Sequence, residues 1–198
     1  MSAVGSLDLI LATTVAAELL LGAGLVITLM SNGAVRVWPP PGRVSWQFWA
    51  VWTLTVVSSV GVLLVGILDW KTAVPGHGLR LVIGAALALG GLGFASWGIA
   101  TLGRHATLGL QGTLIGSGPY RWTRNPQYVG DIVALVGWAV LCNSGSTWLV
   151  SALGMAWFAL APFTEEPWLR AQYGEAYDAY RRRLPRFLGN RSKNGERR

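Results

Sequence analysis

The apolar positions of this chain run in long blocks separated by short polar stretches. Residues 7–30 are almost continuously apolar, long enough to cross ~30 Å of hydrocarbon at about 1.5 Å per residue. A loop with Arg36, Pro39, Pro40, Pro41 and Arg43 leads to a second block, residues 46–68. Asp69, Trp70 and Lys71 then mark an interface, and Pro75-Gly76-His77-Gly78 reads as a turn. The third block, residues 79–102, is rich in glycine, and the pairs Gly84/Ala88 and Ala86/Gly90 predict close helix packing. Residues 103–124 form a polar, glycine-rich connection with no obvious helix. Its length alone points to function. A fourth block starts at Asn125-Pro126, where Asn suits the N-cap and Pro the first helical position, and ends near Leu141. The turn at residues 142–146 leads into a fifth block, residues 147–163. Both of these are shorter than the first three and read as an antiparallel hairpin.

Beyond Thr164 the pattern becomes amphipathic. Leu169, Tyr173, Tyr177, Tyr180 and Leu184 follow spacings of four, four, three and four and share one helix face, which Pro185 ends. The predicted fold is all-α: an integral membrane protein with about five transmembrane helices, the last two a short hairpin, plus an amphipathic C-terminal helix. The whole chain reads as one membrane domain. Three N-terminal spans occupy residues 1–102, the connection, hairpin and C-terminal helix residues 103–187, and a basic tail residues 188–198.

Composition agrees with the pattern. Hydrophobic residues make up 52% of the 198 and charged residues only 13%, which excludes an ordinary soluble domain. The spans leave no room for a separate nucleotide-binding domain. The net charge of +7 is concentrated in Arg181, Arg182, Arg183, Arg186, Arg191, Lys193, Arg197 and Arg198. This tail reads as a cytoplasmic segment beside anionic lipid. It lacks a recognition fold, so no nucleic-acid partner is expected. With the C-terminus cytoplasmic, the inner loops also hold Arg36, Arg43, Arg104, Arg121 and Arg124, and the outer side only Lys71 and Arg80. That bias predicts an N-terminus outside and a C-terminus inside. The first apolar run lacks a basic start and is longer than a signal core, so it is expected to stay as the first span. Cys142 is the single cysteine, which rules out an intrachain disulfide. His77 and His105 are far apart, and no metal-ligand spacing occurs.

Two polar clusters flank the hairpin: residues 118–130, with Arg121, Arg124 and Asn125, and residues 165–177, with Glu165 and Glu166. Folding the hairpin brings them together at the cytoplasmic face. Clustered charge beside membrane helices is a candidate functional site. The arrangement suits a zwitterionic ligand carrying a flat base, with a lipid partner arriving from the bilayer. Simpler roles compete. Asn125 is either a helix cap or a ligand contact. Glu165 and Glu166 could serve the helix dipole, though two acids exceed that role. Arg121 and Arg124 are interface anchors or ligand contacts. The tyrosine stripe reads as interface packing, and Trp46, Trp49, Trp52 and Trp70 as belt residues. Glu18 sits mid-span, where an acid costs roughly 2.5–3.5 kcal/mol; it is either packed against another helix or a polar contact to an acceptor.

The spacing Gly118-x-Tyr120-x-x-x-Arg124-Asn125-Pro126-x-Tyr128-x-Gly130, followed by Glu165-Glu166-x-x-Leu169-x-x-x-Tyr173-Gly174-x-x-Tyr177-x-x-Tyr180, resembles the isoprenylcysteine carboxyl methyltransferase family and its phospholipid methyltransferase relatives. The resemblance covers residues 103–187. It implies an integral membrane methyltransferase using S-adenosylmethionine, with a lipophilic or lipidated acceptor entering from the bilayer. By that resemblance Gly112, Thr113, Leu114 and Ile115 line the cofactor through their backbone. Tyr120 lines it from the loop, Asn125, Pro126, Gln127 and Tyr128 contact it at the helix start, and Glu165 holds a polar part of it. Arg121, Arg124, Glu166 and Glu18 are candidates for the acceptor. No catalytic acid or base is assigned. The expected reaction is carboxyl O-methylation of an isoprenylcysteine-like substrate or another lipid. The alternatives are phospholipid-type N-methylation, a membrane reductase with a nicotinamide cofactor, and a non-enzymatic lipid-binding scaffold. Two departures matter: Asn125 stands where isoprenylcysteine enzymes carry His, and Ala161 where the eukaryotic ones carry Arg.

Overall fold

The computed structural model describes residues 3–70 and 78–189. Lys71, the turn at Pro75-Gly76-His77, and the tail residues Arg191, Lys193, Arg197 and Arg198 lie outside the described residues. All the regular secondary structure among the described residues is helical, without strands. α1 (Ala3–Met30), α2 (Trp46–Leu68) and α3 (Gly78–Leu102) are followed by a single turn α4 (Arg104–Thr107) and a 3-10 turn (Gly118–Arg121). Then come α5 (Pro126–Cys142), α6 (Gly145–Tyr173) and α7 (Glu175–Arg183). The long connection thus holds two short helical turns that the sequence pattern did not show.

Four helices, α1, α2, α3 and α6, are long and apolar enough to cross a membrane, and α5 is a shorter apolar helix. The chain is an integral membrane protein. The last two helices are not a matched short pair. α5 has 17 residues, about 25 Å at the helical rise. α6 has 29 and runs through Pro162 and Pro167. Each proline lacks an N–H for the carbonyl four residues earlier. The Thr164 hydroxyl donates to Ala161 O at 2.8 Å within this stretch. The predicted end near Phe163 therefore gives way to a helix that carries Glu165 and Glu166 onward. It stops at Gly174, whose φ of +55° suits glycine. The expected single amphipathic helix is consequently two, α7 following Gly174, and Leu184 is already extended.

α3 and α5 share the most extensive interface and run antiparallel. Gly84, Ala88, Gly91, Ala95 and Gly98 are buried at alternating spacings of four and three. A Cβ on Gly91 would meet Ala134 N at 2.4 Å, and one on Gly137 would meet Ala88 N at 2.2 Å. The expected Gly84/Ala88 pair lies in this seam. Ala86 and Gly90 do not; both are exposed, and Gly90 has nothing within 4 Å of its missing Cβ. α1 packs on α2 and α6, and α5 on α6.

Local hydrogen bonds and turns shape the loops at both ends of the bundle. The Thr28 hydroxyl on α1 accepts from Val37 N at 2.9 Å, turning the 31–45 loop back onto the helix ends. At the other end of α5, Asn143 adopts a left-handed conformation at φ +53° and Ser144 caps α6, accepting from Thr147 N at 3.1 Å. Trp46 and Trp49 are exposed as belt residues would be, whereas Trp52 packs inward and donates toward Leu108 O at 3.4 Å.

Candidate active site

The 31–45 loop, the 103–125 connection, the exit of α6 and α7 converge on one cavity of about 110 Å³. Thr113, Leu114, Ile115, Tyr120, Asn125, Gln127, Tyr128 and Glu165 all line it, together with Arg124 and Glu166. The two polar clusters are thus brought together by the hairpin.

Four sequence candidates sit elsewhere. Gly112 lies behind the wall, its carbonyl accepting from the Tyr173 hydroxyl at 2.7 Å. Pro126 is buried at the first position of α5 rather than facing the cavity. Arg121 is exposed and stacks over the neighbouring Trp122 ring at 4.6 Å, away from the site. Glu18 faces a second, deeper cavity. Asn125 holds the N-cap position of α5 but makes no side-chain cap bond; its Nδ2 donates instead to Arg186 O at 2.9 Å.

The adjacent acids have opposite settings. Glu165 Oε1 accepts from Trp38 Nε1 at 2.6 Å and from the Tyr128 hydroxyl. Its partners are neutral donors, so the carboxyl group is oriented without an ion pair. Glu166 is held between two arginines. Arg124 reaches Oε1 at 2.7 Å, and Arg186 grips both oxygens at 2.7 and 2.8 Å. Such a fork fixes geometry as well as charge. Glu166 is therefore a tether between α6 and the segment after α7, rather than an unengaged group awaiting an acceptor. Arg186 is raised above the ordinary guanidinium range, chiefly by its hydrogen bonds to Glu166.

The same segment is stitched to the start of α5. Arg124 N donates to Pro185 O at 3.1 Å and the Thr123 hydroxyl to Arg186 O at 3.0 Å. The tyrosine stripe, expected as interface packing, lines the cavity instead. Tyr180 donates to Tyr120 O at 3.0 Å, so with Tyr173 it fixes the 112–120 strip of backbone. Burial raises the Tyr120 and Tyr180 hydroxyls and pushes Tyr177 up to about 12, so all three remain protonated donors near neutral pH.

Trp38 and Arg186 were not legible as site residues. Trp38 stands in a proline-rich loop far from both motifs, and Arg186 is hidden in a run of tail arginines. The Pro185-Arg186 step directly after a helix end is the only local sign that Arg186 differs from its neighbours.

The cavity offers a carboxyl group outside any ion pair, a buried Arg124 Nε without a hydrogen-bond partner, five tyrosines and further aromatic rings. These can hold a molecule carrying a cation, a carboxylate and a flat ring together.

Comparison with known proteins agrees with this chemistry. Residues 79–176, about half of the chain, match the model of the phospholipid methyltransferase family. The protein-S-isoprenylcysteine O-methyltransferase of Schizosaccharomyces pombe is 34% identical over 73 residues, which is 36% of this chain and 31% of that protein. The similarity thus spans about a third of that relative's length. No solved structure matches. The family match runs from the start of α3 into α7 and takes in the loop, the start of α5 and both acids of the cavity, so the chain belongs to the phospholipid methyltransferase family of membrane methyltransferases, with isoprenylcysteine methyltransferase-like features.

Proposed function

We propose that the protein transfers a methyl group from S-adenosylmethionine to a lipophilic acceptor at the membrane, with the cofactor in the 103–187 cavity. The observation that carries this reading is the pairing of a Glu165 outside any ion pair with an unsatisfied Arg124 Nε in one aromatic-walled cavity. The lining chemistry suits the group, and the cavity, about 110 Å³ as it stands, would have to widen to take it. Glu165 would hold a cationic or hydroxyl part, Arg124 the carboxylate, and the backbone of Thr113, Leu114 and Ile115 the edge of the flat base. Asn125, Gln127, Tyr120 and Tyr128 would close the remaining walls.

When bound, the cofactor supplies an electrophilic methyl on a sulfonium. The protein's share is alignment and electrostatics. Trp38 and Tyr128 hold the Glu165 carboxylate in one orientation. The Glu166 pair with Arg124 and Arg186 ties the segment after α7 to α6 and to the start of α5 beside the cavity. The basic loop residues Arg36, Arg43, Arg104, Arg121 and Arg124 lie at this end and Arg80 at the other. That distribution supports a cytoplasmic cavity with the N-terminus outside. Ala161 is fully buried against Tyr128 in the core below the cavity. No arginine stands there to receive an isoprenylcysteine carboxylate, which favours a different lipid acceptor.

The test is transfer of labelled methyl from S-adenosylmethionine into an organic-soluble fraction by purified protein supplied with membrane lipids. Label should appear with the wild-type chain and fall at least tenfold in Glu165→Gln, as loss of a charge-assisted contact worth about 1.5–3 kcal/mol requires. Folded wild-type protein that labels no lipid would overturn the reading.

A further inference from the structure

Arg124 stands in a closed circuit of hydrogen bonds, and Arg186 is the residue that closes it. On the side-chain half, Arg124 Nη1 donates to Glu166 Oε1 at 2.7 Å, and Arg186 Nε donates to the same oxygen at 2.7 Å. Arg186 Nη2 takes the second oxygen of Glu166 at 2.8 Å. The circuit returns through the backbone. Arg186 O accepts from the Thr123 hydroxyl at 3.0 Å and from Asn125 Nδ2 at 2.9 Å, the residues on either side of Arg124. Arg124 N donates to Pro185 O at 3.1 Å. The Phe163 ring backs the Arg186 guanidinium, 3.8 Å from its centroid.

This circuit fixes an orientation that the Arg124 bond alone would not. The terminal torsion of a glutamate is broad, so a carboxylate held by one hydrogen bond can still turn. Two parallel bonds from one planar guanidinium hold both of its oxygens in a single plane. Glu166 is thereby set, and the Arg124 guanidinium, tied to it through Nη1, is set with it. The Arg124 side chain is only 9% exposed, and its Nε is buried without a hydrogen-bond partner. A buried donor left unmade costs stability until something accepts from it.

Charge points the same way. One carboxylate faces two guanidinium groups, so the cluster carries an excess of positive charge. The neighbouring acid, Glu165, bonds to Trp38 and Tyr128 instead. The cluster lacks one anion, and Arg124 is the arginine that lines the cavity; Arg186 stands behind it. A ligand carboxylate would bring both the missing charge and the missing acceptor. Arg186 lies beyond residues 79–176, which carry the family match, and it differs from the exposed Arg181, Arg182 and Arg183.

We propose that Arg186 is a positioning residue for the cofactor site: acting through Glu166, it sets Arg124 to receive the carboxylate of the ligand's amino-acid part. This role rests on the function proposed above and makes the site selective for that carboxylate.

The test is calorimetry on the full-length protein in detergent with S-adenosylmethionine and its decarboxylated form as probes. The second keeps the sulfonium, the ammonium and the base and lacks only the carboxylate. The wild type should prefer S-adenosylmethionine by at least about tenfold, as a charge-assisted hydrogen bond requires. Arg186→Gln leaves Glu166 paired with Arg124. It should reduce the preference to within about threefold and change affinity for the decarboxylated ligand by less than about twofold. Thermal melting reports that the variant is folded. If it does not fold, Arg186→Lys serves: it keeps the charge, cannot grip both oxygens, and should cut the preference at least about threefold. A wild type that binds both ligands equally would overturn the proposal and leave methyl transfer standing. So would a preference that survives in the folded variants, or a loss of both affinities that keeps their ratio. Wild-type protein that binds neither ligand would overturn both.

Discussion

At the residue scale, the two adjacent acids divide the work. Glu165 stays outside any ion pair because its donors are an indole and a phenol, whereas Glu166 is paired with two guanidinium groups. Removing one partner of a buried pair costs more than the pair itself contributes, since the survivor is left uncompensated. In Glu166→Gln two arginines would face each other. Arg186 has 29% of its side chain exposed, so water relieves part of that strain. The expected loss is about 2–3 kcal/mol, below the ~3–5 kcal/mol of a fully buried pair. It would be read as a lowered denaturant midpoint in detergent; an unchanged midpoint would show that the tether is dispensable. Sequence gave the acids and Arg124 but not their division of labour, because which carboxylate meets which donor depends on Trp38 and Arg186, both far from the motifs. The role of Arg121 was equally hidden: only the fold turns it outward onto Trp122.

At the element scale, the seam between α3 and α5 sets where the start of α5 stands. Small residues there let the backbones approach, and the register carries Gln127 and Tyr128 to the cavity wall. Gly91→Ala should therefore cost roughly 1–3 kcal/mol, the range for overpacking a tight interface. Gly90→Ala, one residue earlier but facing outward, should be neutral or slightly stabilising, since alanine loses less backbone entropy in a helix. Thermal melts of the two variants make the comparison, and equal effects would contradict the seam. The hydrophobic blocks marked all three N-terminal helices to within a few residues. α6 was read too short because the apolar pattern turns amphipathic after Thr164 while the helix itself continues. The C-terminal helix was read too long because spacing alone cannot reveal the break that Gly174 makes.

At the scale of the whole molecule, one end of the bundle gathers the loops, the charge and the cavity. The proposed orientation puts that end in the cytoplasm. Val44, 98% exposed in the 31–45 loop, and Leu79, 74% exposed at the opposite end, are suited to report it. With Cys142 replaced by Ser, a cysteine substituted for Val44 should react with a membrane-impermeant maleimide only after the membrane is opened. One substituted for Leu79 should react in intact cells. The reverse pattern would invert the topology. Charge bias already carried this expectation, and the long apolar blocks carried the integral membrane class. The deeper chamber was not legible: Asp131 sits within an apolar helix stretch and meets Glu18 only when α1 and α5 are assembled around the same space.

The central claim is that the cavity under α7 holds S-adenosylmethionine, with Glu165 as its charged contact. Calorimetric titration of S-adenosylmethionine into detergent-purified protein tests it most directly, alongside Glu165→Gln and with a reduced nicotinamide dinucleotide as comparison ligand. The account predicts saturable binding that weakens at least about tenfold, ~1.4 kcal/mol, in a variant whose melting temperature is unchanged, and no binding of the nicotinamide. Folded protein that ignores S-adenosylmethionine, or that takes the nicotinamide in its place, would contradict it.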